Sequence, residues 1–155
     1  YYLAPGPSRD QTMTSQAIIA VNEFMSRYPD SKQVENFKSI NEELTQRLHD
    51  KAYLNAYTYY KIGKYNSAIV ALKNALKKYP ESTHREEIMY LIVDASYRYA
   101  SNSIEEKQTD RYLSMLDSYL SFKEEFPESK HSRELERMAK HAKDYLDRNK
   151  KDNNI

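Results

Sequence analysis

Apolar residues recur along this chain at spacings of three and four, the period of a helix surface, and strand-like alternation is scarce. The clearest run is Ala68, Ile69, Leu72, Ala75 and Leu76, closed by Tyr79-Pro80. The same offsets counted back from Tyr28-Pro29 fall on Ala17, Ile18, Val21, Phe24 and Met25. Counted back from Phe126-Pro127 they fall on Met115, Leu116, Tyr119, Phe122 and Lys123. Only Lys123 departs, and a lysine can lay its stem along apolar surface. One amphipathic helix has therefore been used three times.

Each copy ends in the same punctuation: Tyr28-Pro29-Asp30-Ser31, Tyr79-Pro80-Glu81-Ser82 and Phe126-Pro127-Glu128-Ser129. Proline stops the helix before it, and a following serine or threonine can cap the next one. These are hinges at Pro29, Pro80 and Pro127, and Thr83 with Glu86 predicts a capping box after the second. Between hinges the spacing is 51 and then 47 residues, longer than a plain two-helix repeat. The stripe Val34, Phe37, Ile40, Leu44 and Leu48 fills the first excess and predicts one long helix from Ser31 to about Ile62, or two with a kink. The polar stretch Ser101 to Asp110 fills the second and predicts a loop between helices at Glu86–Ala100 and about Arg111–Glu125. After the last hinge, Leu135, Met138, Ala139, Ala142, Tyr145 and Leu146 predict a terminal capping helix at about 131–149 with a polar, frayed tail. The whole of 1–155 reads as a single repeat domain.

Composition sharpens this to an all-α chain. There are only 2 Gly and 5 Pro among 155 residues, so helix breakers are confined to the hinges and a few turns. Lys+Arg 24 against Asp+Glu 23 leaves a formal net charge of +1, without the basic footprint that nucleic-acid or membrane-surface binding needs. The absence of cysteine removes disulfides and thiolate metal sites. No apolar run approaches the length that crosses a bilayer.

The middle unit resembles the tetratricopeptide pattern, with Ala56, Ala68 and Ala75 at its small-residue positions and Tyr59 at the aromatic position of its first helix. The resemblance implies a solenoid of antiparallel helix pairs, closely crossed at the alanines, with a C-terminal capping helix. By repeat position Asp50, Tyr53, Leu54, Tyr57, Tyr60 and Lys61 line the concave groove, where tyrosines either anchor a partner or pack against the neighbouring repeat. Repeat proteins that hold a chaperone's C-terminal carboxylate carry Lys and Asn where this chain has Tyr53 and Tyr57, so that clamp is not expected here.

Catalytic and cofactor readings find no support in the residue pattern. His49, His84, His131 and His141 make no ligand-spaced set and no HExxH, and read as surface or packing residues. Adjacent carboxylates such as Glu86-Glu87 and Glu124-Glu125 point different ways on a helix and do not form acid–base pairs. Gly6 and Gly63 cannot build a phosphate loop. Neither a catalytic residue, a metal nor a cofactor is expected.

The series Arg9-Asp10-Gln11, Ala17-Ile18, Tyr28-Pro29-Asp30-Ser31, Tyr59-Tyr60-Lys61-Ile62-Gly63-Lys64-Tyr65 with Ala68-Ile69, and Tyr79-Pro80 resembles the C-terminal two-thirds of the BamD family. Tyr119-Leu120-Ser121-Phe122 with Phe126-Pro127 resembles Bacteroidetes members. The Arg9-Asp10-Gln11 loop is the more specific element, because Tyr-Pro hinges belong to many tetratricopeptide proteins. The resemblance implies a lipoprotein on the periplasmic face of the outer membrane that belongs to the β-barrel assembly machinery. It implies a non-catalytic scaffold that binds the periplasmic domains of the barrel-forming subunit, alongside other assembly lipoproteins. The membrane is reached only through an N-terminal lipid anchor. On this reading the chain, opening Tyr1-Tyr2-Leu3, is a piece without the lipidated cysteine and the first repeats. Candidate partner-binding residues are Arg9 and Asp10 in the loop and Tyr53, Tyr57, Tyr60 and Lys61 in the groove. Lys73, Lys77 and Arg137 join them from their expected exposure. The alternative is a free periplasmic adaptor that recognises extended peptides in its groove; a fixed scaffold suits the ordered Arg9–Asp10 loop better.

Overall fold

The computed structural model describes residue 6 and residues 9–152. Six helices run in order: α1 Thr12–Arg27, α2 Val34–Lys61, α3 Tyr65–Lys78, α4 Arg85–Ser101, α5 Glu105–Glu125 and α6 Ser132–Asp152. No strand occurs among the described residues, and the fold is all-α and tetratricopeptide-like. The chain divides into two compact units, Tyr1–Asn55 and Ala56–Ile155, with the border inside α2.

The three hinges are the same structure made three times. Tyr28, Tyr79 and Phe126 have φ near −130° (−132°, −133° and −128°) and ψ of 63°, 71° and 63°, outside the helical region. The proline ring that follows each of them crowds its N–H and Cβ and disfavours the α conformation. Each aromatic N–H still donates back into its helix, to Phe24, Ala75 or Phe122 O at 2.8–2.9 Å. The serine three residues on donates its N–H to the aromatic carbonyl at 3.1–3.2 Å. Its Oγ in turn accepts the N–H two residues further: Gln33 at 3.3 Å, His84 at 3.2 Å and His131 at 3.1 Å. Proline breaks the helix and serine satisfies an amide freed by the break.

Between α2 and α3 the chain turns without proline. Lys64 N–H donates to Tyr59 O at 2.9 Å and Gly63 N–H to Tyr60 O at 3.0 Å, the paired bonds of a Schellman cap. Gly63 sits at φ 73°, a left-handed conformation that a Cβ would disfavour.

In the first unit Phe24 lies with its ring centroid 4.6 Å from Phe37 and 5.2 Å from Tyr28, and Thr14, Val21 and Leu44 are buried. In the second unit α3 and α5 each pack on α4, and α6 packs on α5 and α4. One apolar cluster fills it, from Met89 and Val93 through Tyr112, Met115, Tyr119 and Phe122 to Leu135, Ala139, Ala142 and Leu146. The repeated offsets hold: Val21, Leu72 and Tyr119 occupy the same position before their hinges and all are buried, while Lys123 is exposed. Ala56 and Ala68 have no accessible surface and Ala75 has almost none.

The single long helix that was one reading of Ser31 to about Ile62 is α2, Val34–Lys61. Four other sequence expectations change. The stretch Ser101 to Asp110 is mostly helix, because α5 starts at Glu105. A solvent-facing first turn shows no apolar stripe, yet Glu105 and Glu106 favour it by facing the positive end of the helix dipole. Gln108 Nε2 donates back to Ser103 O at 2.9 Å, and Arg111 bonds Ser103 Oγ while its guanidinium lies 3.8 Å from the Tyr99 ring centroid. The predicted Thr83–Glu86 capping box is replaced: the N-cap is His84, without a side-chain cap bond, and Glu86 accepts the Ser129 hydroxyl at 2.6 Å. Tyr59, expected at the aromatic position of the first repeat helix, is 45% exposed, whereas the alanines are buried. The expected tail is shorter too, since α6 continues to Asp152.

A forked ion pair joins the start of α4 to the end of α5. Arg85 Nε bonds Glu125 Oε1, Arg85 Nη2 donates to Glu125 Oε2 at 2.9 Å, and Arg85 Nη1 donates to Pro80 O at 3.2 Å. The bonds from Arg85 hold the Glu125 carboxyl below its ordinary pKa of 4.5.

Ala68→Arg forces a charge into a site with no accessible surface and should destabilise by about 2–4 kcal/mol, whereas Val70→Arg, at an exposed position, should leave the urea midpoint nearly unchanged. Equal midpoints for both would refute the close crossing. For the ion pair, a depressed folded pKa means stability present above the unfolded value and lost as pH falls through the folded one. The stability gap between wild type and Glu125→Gln should thus be open near about pH 7 and close as pH drops below 4.5.

Candidate protein-interaction face

The C-terminal turns of α2 and the middle of α4 share a polar node built on a buried carboxylate. Asp94 of α4 has no accessible surface, and the apolar residues Ile92, Val93 and Ala95 around it in sequence are buried as well. Tyr60 of α2 donates its hydroxyl to Asp94 Oδ2 at 2.5 Å, and Arg98, one turn further along α4, donates Nε to the same oxygen at 2.6 Å. Asp94 Oδ1 has no hydrogen-bond partner among the described residues. Burial first, and then the bond to Asp94, push the Tyr60 hydroxyl well above the ordinary tyrosine pKa. The bond to Asp94 likewise raises Arg98, which keeps its charge at every accessible pH.

Around this node the rings form a chain. Tyr57 stacks on Tyr60 with centroids 6.0 Å apart, Tyr60 meets Tyr65 edge-on at 5.9 Å, and the ammonium of Lys61 lies 5.9 Å from the Tyr57 centroid. The Arg98 guanidinium lies 6.0 Å from the centre of Tyr65. Although Asp94 is buried, the Arg98 side chain is 45% exposed, so the fixed guanidinium reaches solvent next to Tyr65. Oriented cations over aromatic surface recognise carboxylates and polar backbone without losing much side-chain entropy on binding.

Of the groove candidates, Tyr57 lies against both Tyr60 and Lys61. Tyr53 is half-buried in the first unit. Asp94 and Arg98 were not among the sequence candidates. Their i, i+4 spacing on one helix was legible, but an aspartate in that run reads as solvated until its burial is seen. Lys73 and Lys77 are exposed on α3 and Arg137 on α6, apart in sequence from the node. Arg9 and Asp10 are exposed, and the bonds that order their loop run through its neighbours. Gln11 Nε2 donates to Gly6 O at 2.8 Å and Arg9 O at 3.1 Å, and Thr14 donates to Gln11 Oε1 at 2.7 Å. Asp10 accepts the Thr12 N–H at 3.1 Å, and its bonds with Thr12 hold its carboxyl below the usual range.

Two histidines of the sequence reading pack between helices. His131 stacks on Tyr90 at 3.8 Å and meets Glu87 at 3.2 Å, while His141 Nδ1 lies 3.2 Å from the Tyr97 hydroxyl.

Tyr60→Phe removes a donor from a buried carboxylate and should cost about 1–3 kcal/mol of stability in urea unfolding. A change within error would mean that water replaces the hydroxyl and that the node is open to solvent.

Comparison with known proteins gives one assignment. No curated protein matches the chain. A family model described as YfiO, outer membrane lipoprotein, matches residues 43–151, from within α2 almost to the end of α6 and well over half of the chain. The chain belongs to the YfiO family of outer membrane lipoproteins.

Proposed function

We propose that this protein is a non-catalytic scaffold subunit of the outer-membrane β-barrel assembly machinery, held at the periplasmic face through a lipid anchor. Its partner is the periplasmic part of the barrel-forming subunit, and other assembly lipoproteins join the same complex. Family membership over residues 43–151 carries this reading. The likeness of residues 9–80 to BamD supports it from a second stretch of chain that only partly overlaps the first. The node of Tyr57, Tyr60, Lys61 and Arg98 supports a protein partner, because its exposed groups are positioned for recognition and not for bond-making. Arg9 and Asp10 belong to the same reading as loop contacts, and Tyr53 as a groove contact.

Contacts of an assembly scaffold are partly polar, and reversing a rim charge slows association without unfolding either partner. Charge reversal at Lys73, Lys77 and Arg137, all exposed, should therefore weaken recovery of the barrel-forming subunit from outer-membrane extract while the helical circular dichroism stays unchanged. Recovery of soluble peptides or chaperones alone would reject the scaffold and favour a peptide adaptor.

A further inference from the structure

The second unit also carries a groove lined by none of the node's residues. Helices α3 and α5 both pack on α4, and between them lies a depression of about 300 Å³ whose floor is Met89 and Ile92 of α4 with Leu76 of α3. Its volume is roughly twice that of a cavity that accepts benzene, enough for two bulky apolar side chains. Elsewhere on the same two helices, Val70 on α3 and Leu113 and Leu120 on α5 are apolar residues that are 49–56% exposed.

The two helices that flank the groove carry opposite charge. Helix α3 carries Lys73, Lys77 and Lys78, all exposed, and no acidic residue. Along α5 the exposed charges are six carboxylates against Lys107 and Lys123. Lys73 on one wall and Asp117 on the other line the groove, and neither is in an ion pair among the described residues. A protein with a net charge of +1 thus presents one groove with a basic and an acidic bank.

The walls also select the backbone form of the occupant. Ser114, Ser118 and Ser121 on α5 turn their hydroxyls back to Asp110, Ser114 and Asp117 carbonyls at 3.0–3.1 Å. The main chain of both walls is already bonded within helices. An extended peptide would find no ladder partner here and would leave its own amides unsatisfied. A helix satisfies its own backbone, and small serines let it approach closely.

We infer that the α3–α5 groove docks an amphipathic helix of a protein partner, with apolar anchors on Leu76, Met89 and Ile92. Acidic residues of that helix face Lys73 and basic residues face Asp117. This deepens the scaffold reading, on which it rests only in requiring a protein partner. The probe is a fluorescein-labelled helical peptide of about 18 residues, long enough for the roughly 20 Å of α3. It carries leucines at i, i+3 and i+7, glutamates along one flank and lysines along the other; two control peptides carry a single charge on both flanks. The mixed peptide should bind the full chain several-fold more tightly than either control. Ser118→Arg, at a helix-surface position, should weaken it by about tenfold or more with unchanged circular dichroism. Lys73→Glu combined with Asp117→Lys should retain binding but reverse the peptide's direction, read by energy transfer from one labelled end. Equal binding of all three peptides, or binding indifferent to Ser118→Arg, would overturn the proposal. So would concentration-dependent self-association that Ser118→Arg abolishes, which would make a second copy the occupant. Peptide failure with the barrel-forming subunit still recovered rejects the groove alone; the reverse pattern rejects the scaffold reading alone.

Discussion

The steric conflict between a proline ring and the residue before it organises this protein. At Tyr28, Tyr79 and Phe126 it drives the backbone out of the helical region to nearly the same φ and ψ, and each time a serine accepts an amide that the break releases. Because the hinge geometry repeats, the helix before each hinge presents the same offsets to its neighbour. Val21, Leu72 and Tyr119 are buried for that reason despite their different sizes. A repeat protein propagates order through nearest neighbours, so the precision of each hinge sets how well the next helix packs.

The second unit adds cross-links that make its helices act together. Arg85 clasps Glu125 between α4 and α5, Ser129 reaches Glu86 from the third hinge, and His131 lies on Tyr90. Most of these bonds join residues about 40 positions apart, roughly one repeat length. Residues near the second hinge thus meet residues near the third.

Asp94 is the one buried carboxylate among the described residues. A lone buried carboxylate is costly, and here two donors, Tyr60 and Arg98, converge on one of its oxygens. The arrangement fixes Arg98 in a single pose at the surface and ties α2 to α4 by something more directional than apolar contact. A hydrophobic residue at 94 would stabilise packing equally well but would leave the guanidinium free to wander. The α3–α5 groove is the reverse design, with an apolar floor and the charges of Lys73 and Asp117 on its banks.

Period and punctuation alone were enough to establish the all-α class, the three hinges, the repeated apolar offsets and the burial of Ala56, Ala68 and Ala75, because these follow from local sterics and from which face of a helix is apolar. Tyr57, Tyr60 and Lys61 were legible as one face for the same reason. What needed the tertiary structure were features that local pattern does not encode. The early start of α5 has no apolar stripe, and its stability comes from Glu105, Glu106, Gln108 and Arg111 acting on a turn. The loss of the Thr83–Glu86 box reflects competition, since Ser129, 43 residues away, takes the Glu86 carboxylate. Asp94 looks solvated in sequence and proves fully buried, because only the tertiary packing around α4 and the hydroxyl of Tyr60 decide whether water reaches it.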